Sequence, residues 1–270
     1  MRGRFTTYLA LSVLLAAGAL GGCSNDDSTG PRTGTMSVRM TDAPSQYDQV
    51  NLVITQVSVH RGSTVPADSD SVSGWQVLST SPMTVDLLTL RNGVFTQLAV
   101  ATVVAGSYTQ LRLKLGAGST VVVDGVTHPL FVPSGLQSGL KIQGPFNVPG
   151  GGVADLLLDF DAARSIVLTG SGTYILNPVV RAVQSTNSGS IVGRVLPDTV
   201  QTTVFAIQAP DTITSTITAS DGRFTLSALT AGTYALSFDP EPGYRDTTIT
   251  GVAVTSGHVT DVADVQLTPQ

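Results

Sequence analysis

The stretch Val121-Val122-Val123-Asp124-Gly125-Val126 carries the clearest folding information in this 270-residue sequence. Valine favours extended strands, and an Asp-Gly pair between such residues is typical of a two-residue β-hairpin turn. Outward from this hairpin the same period of two returns, most clearly in Leu111-Arg112-Leu113-Lys114-Leu115, where apolar and basic residues alternate. Such alternation predicts antiparallel strands with one face buried and the other in water.

The composition of the chain agrees with an all-β protein. Charged residues make up only 12% of the sequence, about half the usual share, and β-branched residues recur throughout. The net charge of -5 and the scattered lysines and arginines argue against a nucleic-acid partner. Because the chain has a single cysteine, it forms no internal disulfide, and hydrophobic cores must hold the fold.

A first β-rich domain is predicted over residues 36–183. Its alternating apolar residues begin at Met36, and the alternation slips by one residue near Gln56, which indicates either a β-bulge or a strand covered on both faces. A last strand is expected over residues 174–183, with Pro178 marking an edge or a bulge. The pattern implies roughly eight to ten short strands, which is typical of a sandwich or barrel.

The first residues of the chain have the features of a secretory signal. Arg2 and Arg4 precede an apolar run that is too short to span a membrane and that ends at Leu20-Gly21-Gly22-Cys23. This ending resembles the lipobox of bacterial lipoproteins; the alternative is an ordinary signal peptide followed by a chance cysteine. The resemblance implies removal of residues 1–22 and acylation of Cys23, and two or more acyl chains hold a protein stably on a membrane.

Residues 23–35 are expected to form a disordered tether, because beyond Cys23 they offer no large apolar side chain to bury. Ser24 follows the cysteine. In enteric-type lipoproteins an Asp at that place is the usual signal for retention in the inner membrane, so the resemblance implies the outer membrane.

Several motifs of the first domain resemble one family. They are Thr41-Asp42-Ala43-Pro44, Val85-Asp86-Leu87-Leu88 with Asn92-Gly93, Gly106-Ser107-Tyr108, Val123-Asp124-Gly125, and the run from Leu158 to Ile166. Together they resemble a bacterial lipoprotein domain catalogued as domain of unknown function 4382, over nearly the whole first domain. The resemblance implies a lipoprotein context and carries no established activity.

A polar linker over residues 184–188 precedes a second predicted domain over residues 189–270. Its landmarks are Asp221-Gly222, Phe224 and Leu226 facing inward, and Gly232-Thr233-Tyr234. Their order resembles the carboxypeptidase regulatory-like, transthyretin-like domain, which implies a non-catalytic sandwich of seven strands. We expect Asp221-Gly222 to turn a hairpin and Tyr234 to form a tyrosine corner, a feature that the similar sequence around Tyr108 repeats.

Acidic residues at two strand ends form the candidate site of the first domain. Asp42 ends the first strand, whereas Asp159, Asp161 and Arg164 end a late one, and we expect the two segments to lie side by side. Asp159 and Asp161 share a strand face about 6.6 Å apart, a spacing that suits Ca²⁺ or an acid/base pair. The alternative is a structural role as solvent-facing acids with Arg164 as their neighbour.

Other candidate residues offer less. Asp68 and Asp70 suggest calcium but lack the rest of an EF-hand loop. Trp75 is either a sugar-stacking platform or, as we expect, a buried residue on a central strand. The sequence has no nucleophile-elbow or nucleotide-binding fingerprint. Three residues without metal-ligand spacing are expected to have structural or solvent roles: His60, His128 and His258.

The sequence therefore predicts two antiparallel β-sandwich domains, Ig-like or transthyretin-like, behind a lipoprotein signal peptide. The predicted role is a non-enzymatic interaction or structural module, anchored in the outer membrane through Cys23 on its periplasmic or surface face. Its partner would be another envelope protein, with no cofactor beyond the calcium considered above. The alternative is a carbohydrate-binding surface lipoprotein that binds a glycan; a glycosidase using Asp159 and Asp161 ranks third.

Overall fold

Strands account for nearly all the regular structure of the protein, as the alternating sequence predicts. The structure, a computed structural model, describes residues 31–62, 74–133 and 138–270. The all-β fold class is confirmed within these ranges. The signal peptide, the lipobox with Cys23, and the pair Asp68 and Asp70 lie outside the described residues. In the described part, no helix has the length and apolar character to cross a membrane.

The first domain contains thirteen strands among the described residues, more than the sequence predicts, because turns divide several of the expected strands. They are β1 (Thr33–Ala43), β2 (Gln49–Arg61), β3 (Trp75–Ser79), β4 (Met83–Asp86), β5 (Thr96–Val104), β6 (Gly106–Leu115), β7 (Thr120–Val123), β8 (Val126–Phe131), β9 (Leu140–Val148), β10 (Val153–Asp161), β11 (Ile166–Leu168), β12 (Tyr174–Leu176) and β13 (Val180–Gln184). A helical turn, α1 (Ala162–Ser165), follows β10, and a 3₁₀ turn (Leu87–Thr89) follows β4.

Two sheets enclose the core of this domain. One has the order β13-β10-β1-β5, and the other has the order β11-β12-β8-β7-β2-β6-β9 with β3 and β4 also paired to β2. Side chains such as Met40, Leu113 and Phe160 fill the space between them and are fully buried. Most strand pairs are antiparallel, but β1 runs parallel to β10, because the long connection between them passes through the other sheet.

Two local predictions for the first domain are confirmed. Asp124 and Gly125 both have positive φ, 49° and 73°, as a primed hairpin turn between β7 and β8 requires. The register between β2 and β6 shifts between Ile54 and Gln56, which is the predicted bulge.

Three other predictions for this domain are wrong in detail. The expected strand over residues 174–183 is divided into β12 and β13, which belong to different sheets, and Pro178 lies in the break because it has no N–H to donate. The tether ends earlier than residue 35, since Thr33 already pairs with Val104 through the backbone. Trp75 is half-buried and begins β3, which pairs with β2 alone among the described strands, so it does not lie on a central strand.

The second domain is a sandwich of seven strands, as its family resemblance implies. The strands are β14 (Ser188–Leu196), β15 (Thr202–Gln208), β16 (Asp211–Ile217), β17 (Arg223–Thr230), β18 (Gly232–Pro240), β19 (Thr247–Val254) and β20 (Val259–Gln266). They form sheets of order β17-β14-β20 and β16-β15-β18-β19. Phe224 and Leu226 face inward, as predicted. Asp221-Gly222 makes a turn but no hairpin, because β16 and β17 belong to different sheets.

Both domains contain a tyrosine corner. The Tyr234 hydroxyl donates to the carbonyl of Thr230 at 2.8 Å, and the Tyr108 hydroxyl donates to the carbonyl of Val104 at 2.7 Å. Each tyrosine is buried and reaches the carbonyl four residues earlier, across the turn that leads into its strand. The shared sequence pattern therefore predicts this feature correctly in both sandwiches.

The residues predicted to be a polar linker belong to regular structure. Gln184 ends β13, a 3₁₀ turn covers Ser185–Asn187, and β14 begins at Ser188. The Gln184 side chain donates to the carbonyl of Asn147 at 2.8 Å, and the Ser185 hydroxyl donates to Asp155 at 2.5 Å. Residues 31–270 consequently form one compact unit, in which the second sandwich packs on the outer face of the sheet that contains β10.

Candidate functional site at the domain junction

The parallel pairing of β1 with β10 brings together the two acidic segments that the sequence singled out. Thr41 lies opposite Asp159, Asp42 opposite Phe160, and Ala43 opposite Asp161. The segments therefore lie side by side at one end of the first sandwich. The structure also adds two elements that the sequence did not connect to them: β13 and the second domain.

Asp42 lies inside the protein and is only 4% exposed. Its Oδ1 accepts the N–H of Ala162, the first residue of α1, at 3.0 Å, and its Oδ2 has no hydrogen-bond partner. Burial raises the pKa of Asp42 well above the ordinary range, and the charges of Asp159 and Asp161 raise it further against the lowering effect of the Ala162 and Ala43 N–H groups. The site thus disfavours the charged form of Asp42.

Asp159 does not face solvent, contrary to the prediction, because the second domain covers the outer face of β10. Its side chain is 6% exposed, and Oδ2 accepts from Nε and Nη2 of Arg181 at 2.9 and 2.6 Å. Burial raises the pKa of Asp159, while the Arg181 guanidinium and the Thr214 side chain oppose that rise. Arg181 also donates to the carbonyl of Ala228 in the second domain at 2.5 Å. This ion pair is therefore part of the domain junction.

Asp161 and Arg164 form a separate pair nearer the surface. Asp161 caps α1 by accepting the Arg164 N–H at 2.8 Å, and its Oδ2 accepts from Arg164 Nε at 2.6 Å. Arg164 is 55% exposed on its side chain. Arg164 is thus a neighbour of the acidic residues, as expected, but it binds Asp161 alone, whereas Arg181 binds Asp159.

The turn at Asn92-Gly93 supplies a second polar connection between the domains. The Asn92 N–H donates to the Thr216 hydroxyl at 3.1 Å, and Asn92 Oδ1 accepts the N–H of Thr225 at 2.6 Å. Asn92 has a φ of 58°, and asparagine adopts this left-handed conformation more readily than most residues. The Asn92-Gly93 pair, one of the motifs of the family resemblance, thus forms a turn that contacts the second domain.

Apolar and polar contacts together close the junction. Leu157 and Val183 of the first domain pack against Ala228 of the second. Beside them, a cavity of about 10 Å³ is lined by Asp42, Asp159, Asn92, Thr214 and Thr216. An open cleft of about 770 Å³ runs along the same junction between the Leu88–Val94 turn and the loops of the second domain.

A further ion pair secures the start of the connection between the domains. Asp155 on β10 accepts hydrogen bonds from Arg39, Ser37 and Ser185. Burial opposes ionisation of this carboxyl, but the hydrogen bonds outweigh burial and lower the pKa of Asp155. Ser185 belongs to the predicted linker, so the linker is bound to the same face of β10 as the second domain.

The geometry offers little to a metal ion or a substrate. In the part of the chain that the structure describes, no three acidic, histidine or cysteine side chains are grouped to hold a metal ion, so calcium stays a prediction. Asp159 and Asp161 are each bound to a guanidinium, and Asp159 is sealed from solvent, so neither is placed to act on a glycosidic bond. The arrangement suits a structural junction.

The histidines and the tryptophan have structural surroundings. His60 is buried against Trp75, His128 packs on Tyr174, and His258 contacts the carbonyl of Ser256. The Arg112 guanidinium lies 3.9 Å from the centre of the Trp75 ring, so one face of the indole is occupied. Trp75 therefore does not present that face to a sugar.

Arg181, Asn92, Thr214 and Ala228 are the junction residues that sequence reasoning missed. The Asn-Gly turn was visible in the sequence, but its partner was not. Arg181 lies in the segment that was predicted as one continuous strand, and its pairing with Asp159 across β10 and β13 follows from the sheet order alone. Once the sheet order is known, Arg181 can be identified as the cation that pairs with Asp159.

Comparison with known proteins gives two family matches and distant structural similarities. The carboxypeptidase regulatory-like domain matches residues 190–268. The sequence has no match among curated proteins. One similar structure is a type II cohesin-X-dockerin complex from Acetivibrio cellulolyticus, with 18% identity, a TM-score of 0.25, and coverage of 30% of this chain and 58% of that chain.

Two further structures are similar at the same distant level. The Bacillus anthracis TIE protein has 12% identity and a TM-score of 0.23, with 88% of this chain and 34% of that chain covered. The minor pilin GBS52 of Streptococcus agalactiae has 12% identity and a TM-score of 0.21, with coverage of 87% and 97%. The chain thus spans 58% and 34% of the first two structures, and the similarities are too distant to indicate a shared activity.

The first domain has the more extensive family match. The model described as Domain of unknown function (DUF4382) matches residues 33–178, which is more than half of the chain. The matched range contains Asp42, Asp159, Asp161 and Arg164, and it ends just before Arg181. The chain therefore belongs to the DUF4382 family, with a carboxypeptidase regulatory-like domain following the family's own domain.

Proposed function

We propose that the protein is a lipid-anchored, non-catalytic module of the bacterial envelope, in which two sandwiches are held as one unit to present a surface to another envelope protein. The observation that carries this proposal is the junction around Asp159 and Arg181. Asp159, one of the candidates for chemistry, is committed there to an ion pair with Arg181, which also binds the second domain. Charged residues that bind one domain to the other hold the two sandwiches in a fixed arrangement, as a structural module requires.

The position of the proposed anchor fits this role. Cys23 lies ten residues before Thr33, where β1 begins. From Thr33, β1 runs to Asp42 over about 30 Å at the usual rise per residue. The proposed anchor thus lies close in sequence to the strand that begins the first sandwich.

A carbohydrate-binding function has less support. The single tryptophan has one ring face against Arg112, and among the described residues no aromatic side chain lines the large cleft at the junction. Sugar sites usually offer an aromatic face for stacking. A glycan-array screen tests this alternative: specific binding would favour it over the proposed structural role.

Replacement of Cys23 by serine tests the anchor. Wild-type protein should carry acyl chains on residue 23 by mass spectrometry and should be extracted from membranes only by detergent. Cys23→Ser should be unmodified and soluble after cell fractionation. Membrane association of the unmodified variant would contradict the anchor, whereas the domain junction would be unaffected by that result.

A further inference from the structure

Asp42 is a buried ionisable group without a counter-ion of its own. It is 4% exposed, its Oδ2 has no hydrogen-bond partner, and its Oδ1 accepts one backbone N–H. Burying a carboxylate in this way is strongly unfavourable, and such a group gains stability by taking up a proton. The proposed structural function makes no use of Asp42, so this carboxyl requires its own explanation.

The charged groups around Asp42 do not neutralise the negative charge that it would carry when ionised. On β10, the carboxylates of Asp159 and Asp161 repel a negative charge on Asp42. The two nearby guanidinium groups are committed elsewhere: Arg181 on β13 binds Asp159, and Arg164 on α1 binds Asp161.

The second domain, on the other side of the cavity that Asp42 lines, contributes hydroxyl side chains and no charge. Thr214, Thr216 and Thr225 line the cavity from β16 and β17. Arg91 lies in the first domain's turn with its side chain exposed, and Arg223 at the start of β17 is exposed and pairs with Asp221.

The backbone connects Asp42 directly to the junction. The Asp42 N–H donates to the carbonyl of Leu90 at 3.1 Å, and the adjacent Thr41 hydroxyl lies 2.6 Å from the same carbonyl. Leu90 begins the turn that carries Asn92, whose side chain accepts the Thr225 N–H. A displacement of the Asp42 segment toward water would therefore move the turn that contacts the second domain.

We propose that Asp42 makes the domain junction pH-dependent: the junction is tight while this carboxyl is neutral and loosens when it ionises and draws in water. The pKa of Asp42 is raised by burial first and by its acidic neighbours second, which has the required direction. A group with a raised pKa in the closed state adds stability that is complete below the ordinary Asp range. That stability is lost as pH rises through the raised pKa.

Hydrogen exchange on the whole chain tests the proposal. The amide of Thr225 reports on the junction, and the amide of Leu267, which donates to Leu196 inside the second domain, is the internal reference. After correction for intrinsic exchange, protection of Thr225 relative to Leu267 should fall at least tenfold between pH 4 and pH 8. A tenfold fall corresponds to a loss of about 1.4 kcal/mol of junction stability.

Two variants and one direct titration make the test decisive. Asp42→Asn should change Thr225 protection less than twofold over the same range, while the control Asp48→Asn, at an acid that binds the hairpin turn, should behave as wild type. Carboxyl ¹³C NMR of the wild-type protein should give Asp42 a midpoint above about 3.9, the ordinary value. Thr225 protection that is independent of pH, an unchanged dependence in Asp42→Asn, or an ordinary Asp42 midpoint would overturn the proposal.

Discussion

Arg181→Ala removes the cation that joins the two sandwiches. The guanidinium donates to Asp159 at 2.9 and 2.6 Å and to the carbonyl of Ala228 at 2.5 Å. Truncation leaves the Asp159 carboxylate, 6% exposed, without its counter-ion, and leaves the Ala228 carbonyl without this donor. The first consequence weakens the first domain, and the second weakens its contact with the second domain.

The magnitude follows from the burial of the two partners. Removing one member of a buried ion pair costs about 3 to 5 kcal/mol. Arg181 is 28% exposed on its side chain, so water reaches part of the pair and the lower half of that range applies. The lost hydrogen bond to Ala228 adds roughly 0.5 to 1.5 kcal/mol. Arg181→Ala should therefore lower the free energy of unfolding by about 4 kcal/mol.

Urea unfolding monitored by circular dichroism measures this change, with Arg164→Ala as the matched control. Arg164 is 55% exposed and binds Asp161 at the surface, so its loss should cost less than about 1 kcal/mol. The double variant Asp159→Asn with Arg181→Met should recover much of the stability, because it leaves no buried charge unpaired. Equal destabilisation by Arg181→Ala and Arg164→Ala would refute the reasoning.

Two other predictions concern the junction and the corners. Asn92→Gly keeps the positive φ but loses the side-chain contacts with the second domain. Urea unfolding should therefore show a free energy of unfolding that is lower by about 1 to 2 kcal/mol. An unchanged free energy of unfolding would show that the turn does not stabilise the junction. Tyr234→Phe and Tyr108→Phe each lose one buried hydroxyl bond and should each lower the melting transition by the equivalent of about 1 to 2 kcal/mol. Unchanged melting in both would show that the corners add nothing to stability.

Local features of the fold could be predicted from the sequence because a few adjacent residues determine them. The Asp124-Gly125 hairpin needs two residues that tolerate positive φ, and both tyrosine corners need a glycine turn followed by tyrosine. The predictions that were wrong depended on the arrangement of distant strands. Asp221-Gly222 has the composition of a hairpin turn, but the choice between pairing within a sheet and crossing to the other sheet depends on the whole sandwich.

The candidate site illustrates the same limit. Alternation places Asp159 on the face of β10 opposite the core. From the sequence alone, that face is predicted to be exposed to solvent. The second domain covers that face of β10 instead. Because β13 pairs with β10, Arg181 lies opposite Asp159 and binds it. The meeting of Asp42 with Asp159 could be expected because both lie at strand ends, whereas the burial of Asp159 depended on an interface between domains that periodicity does not reveal.

The central claim is that the two sandwiches behave as one unit because of the polar junction between them. Nitrogen-15 relaxation of residues 31–270 tests it most directly, since it measures the rotational diffusion of each domain separately. We predict one correlation time for both sandwiches in the wild-type protein, and separate, shorter values in Arg181→Ala combined with Asn92→Gly. Two independent correlation times in the wild-type protein would contradict the claim.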